Sequence, residues 1–190
     1  KGIAYSYDEK GKKTGEQEYG DFKTIKYHHF LEPRLSMSFI LSEKNSLKIA
    51  YNRNAQFLHQ LSNSSSSSPT DIWVPSTNNV KPQIADQVAM GYYRNFLDNM
   101  LVLTTEIYYK HLGNQIDYRN GASLFLNNEI EGGLVYGTGQ AYGFELQFEK
   151  KKGKFTGWIS YTLSRSLRKF KDINQGKQFP ARQDRIHDLS

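Results

Sequence analysis

From Leu31 onward the chain alternates with a period of two. Leu31, Pro33, Leu35, Met37, Phe39 and Leu41 hold the odd positions, and Glu32, Arg34, Ser36, Ser38 and Ile40 hold the even ones. Successive residues of a strand point to opposite faces, so this run predicts a strand with one apolar and one mostly polar face. The polar stretch Ser42-Glu43-Lys44-Asn45-Ser46 follows, and alternation resumes as Leu47, Ile49 and Tyr51 against Lys48, Ala50 and Asn52. A short polar turn between two such runs is a hairpin. The unit recurs twice. Ile84, Val88, Met90 and Tyr92 precede a turn near Asn95 to Asn99, and Leu101, Leu103, Thr105, Ile107 and Tyr109 follow it. Tyr142, Phe144, Leu146 and Phe148 precede Lys151-Lys152-Gly153-Lys154, and Phe155, Ile159, Tyr161 and Leu163 follow. Asp86, Val102 and Trp158 interrupt the faces. Shorter strands are predicted near Ile3 to Tyr7 and from about Arg185, and no segment carries a helical period of similar quality.

The connections discriminate further. Those inside the hairpins are short, whereas Asn54 to Lys81, His111 to Gly139 and Ser166 to Asp184 read as long polar loops. The first holds the serine tract Ser64 to Ser68 and then Pro69 and Pro75. Strict alternation of short and long connections gathers the long loops at one end of the sheet, as in outer-membrane barrels. The runs, roughly 8 to 11 residues each, suit tilted membrane-crossing strands. A soluble β-sandwich shows the same alternation with the apolar face turned inward. Period alone leaves the two equal. The loop asymmetry, with Tyr51, Tyr92, Tyr108, Tyr109, Tyr142, Phe148, Phe155 and Tyr161 near strand ends, favours the barrel, because Tyr settles at membrane interfaces. The expected fold is all-β: an antiparallel up-and-down transmembrane β-barrel segment of about six full strands, with a partial strand at each end.

Composition narrows the chemistry. No stretch among the 190 residues approaches the roughly 18 apolar positions of a spanning helix. There is no cysteine, which removes disulfides, thiolate metal sites and a cysteine nucleophile. Thirteen Tyr and 11 Phe are too many for a disordered chain. The net charge of +6 comes without an aromatic-basic or zinc-finger pattern, so no nucleic-acid partner is expected. The chain opens on Lys1 with no apolar leader, which implies a removed signal or an internal piece.

A search for catalytic or metal chemistry finds weak patterns. Adjacent side chains on a strand diverge, so His28-His29 cannot chelate one ion without a bend. Gly137-x-Gly139-x-x-x-Gly143 has the wrong spacing for a dinucleotide loop and leads into a strand. Glu129 and Glu131 sit in a polar loop where carboxylates are ordinarily solvated, and Ser164-Arg165-Ser166 forms no nucleophile elbow. No catalytic residue, metal or cofactor is expected; an enzymatic alternative would require His59 or His187 to meet an acid in the lumen. Binding residues are sought instead in the loops, at Trp73, Tyr118 and Phe125, and on the polar face, at Arg34, Glu106 and Lys110, alongside Lys48, Asn52, Glu145, Gln147 and Glu149. The ordinary expectation for Trp73 is packing within its own loop, stiffened by Pro69 and Pro75.

Several runs resemble a known family. Asn79-Val80-Lys81-Pro82-Gln83, with Gln87 and Gly91, resembles the Lys-Pro-Glu…Glu-x-Gly strand opening of TonB-dependent outer-membrane receptors. Gln140-Ala141-Tyr142-Gly143-Phe144-Glu145-Leu146 is similar to their Arg-Ala-x-Gly-x-Glu strand, with Gln83, Gln87 and Gln140 as departures. Gly157 to Ser164 resembles their Tyr-Thr strand, and Phe179-Pro180-Ala181-Arg182-Gln183-Asp184-Arg185 the approach to the next. Leu31-Glu32-Pro33-Arg34-Leu35-Ser36 and Pro69 to Pro75 look like the Bacteroidetes branch. The resemblance spans about Tyr27 to Ser190. It implies a 22-stranded barrel closed by an N-terminal plug, of which residues 1–190 are a fragment without plug or TonB box. It further implies residence in outer-membrane lipid, coupling to the TonB complex through the missing N-terminal region, and uptake of a glycan, siderophore, cobalamin or peptide. A surface lipoprotein partner stays open, as do two alternatives: a soluble β-sandwich ligand-binding module and a passive outer-membrane barrel.

Overall fold

A computed structural model describes residues 2–61, 71–119 and 130–190. Its twelve strands are β1 (Gly2–Tyr7), β2 (Lys13–Tyr19), β3 (Arg34–Ser42), β4 (Asn45–Gln56), β5 (Leu58–Leu61), β6 (Ile72–Pro75), β7 (Gln83–Phe96), β8 (Leu101–Tyr118), β9 (Leu134–Lys150), β10 (Gly157–Phe170), β11 (Phe179–Pro180) and β12 (His187–Leu189). The main sheet runs in the order β11-β10-β9-β8-β7-β4-β3, with β12 also on β10, and every pairing is antiparallel. β1–β2 and β5–β6 form separate two-stranded hairpins. The Ser64 to Ser68 tract lies outside the described residues.

The register stacks the apolar positions into rows. Met37, Ile49, Met90, Ile107, Phe144 and Leu163 stand side by side across six strands. Each is between 36% and 60% exposed. A sandwich would bury this face against a second sheet; among the described residues no such layer covers it. The next row, Leu35, Tyr51, Val88, Tyr109 and Tyr142, is rich in tyrosine, and the one after it, Arg53, Asp86, His111 and Gln140, is polar. Apolar band, aromatic row and polar row succeed one another as at a lipid boundary. Asp86, the interruption seen in the sequence, falls in the polar row. It accepts hydrogen bonds from Arg53 Nε at 2.7 Å and Nη2 at 3.1 Å, and from Tyr51 Oη at 2.7 Å.

The strands outrun their sequence signal. β8 has 18 residues and β9 has 17, so β8 is about 60 Å long at roughly 3.4 Å per residue, far beyond what a bilayer requires. Most of the described residues in the long loop expected over His111 to Gly139 are therefore strand. Tyr118, expected in that loop, ends β8 opposite Leu134. The connection after Asn54 likewise holds β5 and β6, and β10 continues to Phe170. Above the apolar band the two faces no longer differ in polarity, so the backbone ladder continues while the period-two signal disappears. Two expected strand starts are trimmed: β3, at the loop end, begins at Arg34 instead of Leu31, and at the short-turn end Phe155 lies in the turn before β10.

A bulge divides β8. Leu112 faces Gly139 but Gln115 faces Gly137, so one extra residue enters β8 and inverts its alternation. Asn114 takes the left-handed φ of 52° that this requires, and its Nδ2 donates to the Pro82 carbonyl at 2.9 Å. Above the bulge Ile116 and Tyr118 therefore join the apolar face. There Ile116 and Leu134 form a buried cluster with Leu61, Val74 and Val80, which docks the β5–β6 hairpin on the flank of the wall.

Candidate functional site

The opposite face of the sheet is the candidate site. Its rows read Arg34, Asn52, Gln87, Lys110 and Ala141; Ser36, Ala50, Ala89, Tyr108, Gly143 and Ser164; and Ser38, Lys48, Gly91, Glu106, Glu145 and Thr162. Arg34, Glu106 and Lys110 thus share one face, as their parity predicts. Arg34 donates to Asn54 Oδ1 at 3.2 Å and lies 3.8 Å from Glu32. Glu106 stands directly across from Glu145. Like charges in such a pair destabilise a sheet, by about 0.2–1 kcal/mol. Among the described residues neither carboxylate has an ion-pair partner. The two open onto a hollow of about 320 Å³ lined also by Thr104, Gln147, Trp158, Ser160 and Thr162. Trp158, an interruption in the sequence pattern, lies on this polar side opposite Glu149.

Three aromatic rings lie flat against glycines on the same face. A Cβ on Gly143 would sit 2.8 Å from the Tyr108 ring, one on Gly91 2.9 Å from Tyr93 Oη, and one on Gly137 2.6 Å from the Phe170 ring. The rings fill the notches that missing side chains leave, which holds strand curvature and fixes the rings themselves. This is the role the sequence reading gives the Gly137–Gly143 glycines, close strand packing without nucleotide chemistry.

The loop ends hold a second concavity of about 670 Å³ between β1–β2, the segment before β7 and the start of β9. Asn79 Nδ2 donates to the Tyr5 carbonyl at 2.8 Å and also to Glu131, and Thr77 Oγ1 donates to Glu131 at 2.8 Å. Tyr136 Oη donates to the Asn79 carbonyl at 2.9 Å. Burial, and then the Glu131 carboxylate, pushes the Tyr136 phenol up to about 12. Glu131 therefore works as a structural tie between loops. Sequence reasoning missed this network because its partners lie more than fifty residues apart.

A family model described as TonB dependent receptor-like, beta-barrel matches residues 2–186. The chain belongs to that family. No curated protein and no solved structure matches it. Members of the TonB-dependent receptor family are outer-membrane transporters, and the family implies interaction with TonB.

The TonB-dependent receptor motifs acquire physical roles in this wall. The Lys81-Pro82-Gln83 opening locks the β8 bulge, with the Pro82 carbonyl taken by Asn114 and Gln83 Oε1 accepting from Gln115 Nε2 at 3.1 Å. Asp184, in the run before β12, accepts from the Ser166 backbone N–H at 2.6 Å and from Arg165 at 3.0 Å, tying that segment to β10.

The loop residues fare differently from the face residues. Trp73 does not pack in its own loop; it points outward from β6 and is 57% exposed, because the buried positions of that hairpin are His59, Leu61 and Val74. Tyr118 packs against the flank cluster, on the face opposite Arg34, Glu106 and Lys110. Burial, then the Asp117 charge, raises its phenol above the usual value. Phe125 and Glu129 lie outside the described residues. His59, 1% exposed, bonds Ser76 Oγ through Nε2 at 2.9 Å, and burial pushes its imidazole below the usual range. His187 Nδ1 meets Tyr161 Oη at 2.8 Å, and His28 Nε2 donates to the Thr77 carbonyl at 3.0 Å. Among the described residues, neither His59 nor His187 is hydrogen-bonded to a carboxylate.

Proposed function

We propose that the chain forms part of the wall of a TonB-energised importer, with the apolar face in outer-membrane lipid and the Arg34–Glu106–Lys110 face lining the path of a nutrient. The bare apolar band carries this reading. A row of Met, Ile, Phe and Leu at one-third to two-thirds exposure is stable only where hydrocarbon replaces water. The sheet edges at β3 and β11–β12 need neighbours in lipid, which further barrel strands supply. Of the ligand classes open to this family, glycan, siderophore, cobalamin or peptide, a polar member suits this face, where Glu106 and Glu145 stand among Arg34, Lys48 and Lys110. Trp73 and Phe125 are proposed as loop contacts. Tyr118 is withdrawn from that role by its packing. The Leu31 to Ser36 and Pro69 to Pro75 runs favour the Bacteroidetes type, and exposed Trp73 offers a surface lipoprotein a place to dock.

The test is fractionation of cells making the full gene product, with gel mobility compared unheated and boiled. Recovery in the outer membrane with a heat-dependent shift supports the reading. A water-soluble product without a shift overturns it.

A further inference from the structure

The two ends of the apolar face differ in charge. At the loop end the polar row neutralises itself, with Arg53 held by Asp86. At the short-turn end the outward rows finish on Arg94, beside Leu103, and then on Phe96, Leu101 and Lys150. The Arg94 guanidinium lies over the Phe96 ring, 4.7 Å from its centroid. Beyond them the turns add Lys44, Lys151, Lys152 and Lys154, and exposed Leu97 and Phe155. Six cations thus face three carboxylates there, Glu43, Asp98 and Glu149. Lys151 pairs with Glu149 at 3.6 Å. Among the described residues none of the other five cations enters an ion pair.

We propose that the β9–β10 turn, with Arg94 and Lys44, is a binding site for the phosphodiester of anionic phospholipids in the periplasmic leaflet. The inference rests on the membrane reading above. Three observations converge on it. The cations begin where the lipid-facing rows end, which is headgroup depth. Short turns of outer-membrane barrels lie on the periplasmic side, where the leaflet is phospholipid. Exposed Phe155 and Leu97 beside the lysines supply the apolar half of an interfacial anchor, while long Lys stems reach the phosphate plane. The occupant is a lipid and not a free anion, because the exposed apolar members of the cluster, Phe155 and Leu97, need acyl chain beside them.

Each basic residue near an anionic surface contributes about a five-fold preference, converted from about 1 kcal/mol. The full-length protein, reconstituted in phosphatidylethanolamine bilayers, is probed with chain-spin-labelled phosphatidylglycerol and phosphatidylethanolamine at equal trace levels. The ratio of their association constants is the readout. At low salt we expect a ratio above two, falling at least two-fold in the K150Q/K151Q/K152Q/K154Q protein and restored in the corresponding four-Arg protein. A ratio unchanged by the Gln substitutions overturns the proposal. Should the Gln protein fail to fold, the wild type in 1 M NaCl decides: persistence of the full ratio overturns the site. Competition by millimolar inorganic phosphate at fixed ionic strength would assign the cluster to a free anion and also overturn the lipid reading. A protein that neither enters bilayers nor shows a heat-dependent shift refutes the membrane reading itself, a distinguishable failure.

Discussion

Ile107 sits at the centre of the apolar face, between Met90 and Phe144, with the Tyr51–Tyr109 row on one side and the Leu47–Tyr92–Leu146 row on the other. Its 46% exposure means that nearly half of its surface faces what lies outside the wall. If that is hydrocarbon, Ile107→Arg places a charge near mid-depth and costs about 2–4 kcal/mol, a roughly 30- to 900-fold loss in folding equilibrium. Phe148→Arg makes the contrast. Phe148 is equally exposed, at 41%, but adjoins the Arg94 and Lys150 rows, so its replacement costs about 0–1 kcal/mol by the same depth dependence. Thr162→Arg, across from Glu145 on the polar face, gains a counter-charge and should be neutral or stabilising. Reversible urea unfolding of the full-length protein in lipid bilayers, followed by tryptophan emission, measures all three. Equal costs for Ile107→Arg and Phe148→Arg would refute the depth argument. A Thr162→Arg cost as large as that of Ile107→Arg would refute the assignment of faces.

Three further outcomes are expected. Gly143→Ala sets a methyl 2.8 Å from the Tyr108 ring, so the ring must lift; a loss of about 1–2 kcal/mol is expected, recovered in part by Tyr108→Ala in the same chain, and additive losses would show the ring is not seated there. Asn114→Ala removes both the tolerance of positive φ and the bond to Pro82, costing about 1–3 kcal/mol, whereas Asn114→Gly keeps the backbone and loses less; equal losses would contradict a bulge at this residue. His59 is held neutral by burial, so the undocked hairpin binds the extra proton: docking is complete above pH about 6.5 and weakens as pH falls. Amide exchange in β5 and β6, corrected for intrinsic rates, should quicken at pH 5 relative to pH 7.5, and His59→Leu should abolish the difference.

What was legible in the chain was the part carrying the exposed apolar band. Between Leu101 and Lys110 one face must be apolar and the other polar, so the strand, its partner and the direction of Glu106 and Lys110 all follow from parity. Above Tyr109 the same backbone continues without that constraint, and His111 to Tyr118 reads as loop. The bulge at Asn114 was hidden because its cost is met by one asparagine and a carbonyl thirty residues away. Carrying the β8 parity past Lys110 would put Tyr118 on the polar face, since a single extra residue reverses every orientation beyond it. The Glu131 network was illegible for a different reason: hydrogen bonds between distant loops leave no periodic trace.

That inserted residue also decides which face of the wall carries the β5–β6 hairpin. With Asn114 in place the oily seam holding β5 and β6 is built on the apolar side of the sheet, like a bracket on a wall, and the polar face above Lys110 is left to Gln115, Asp117 and Arg168. Remove one residue there and Ile116 and Tyr118 would turn to the polar face, drawing the bracket with them. Which face of the wall stays polar at that height depends on slack of one amino acid.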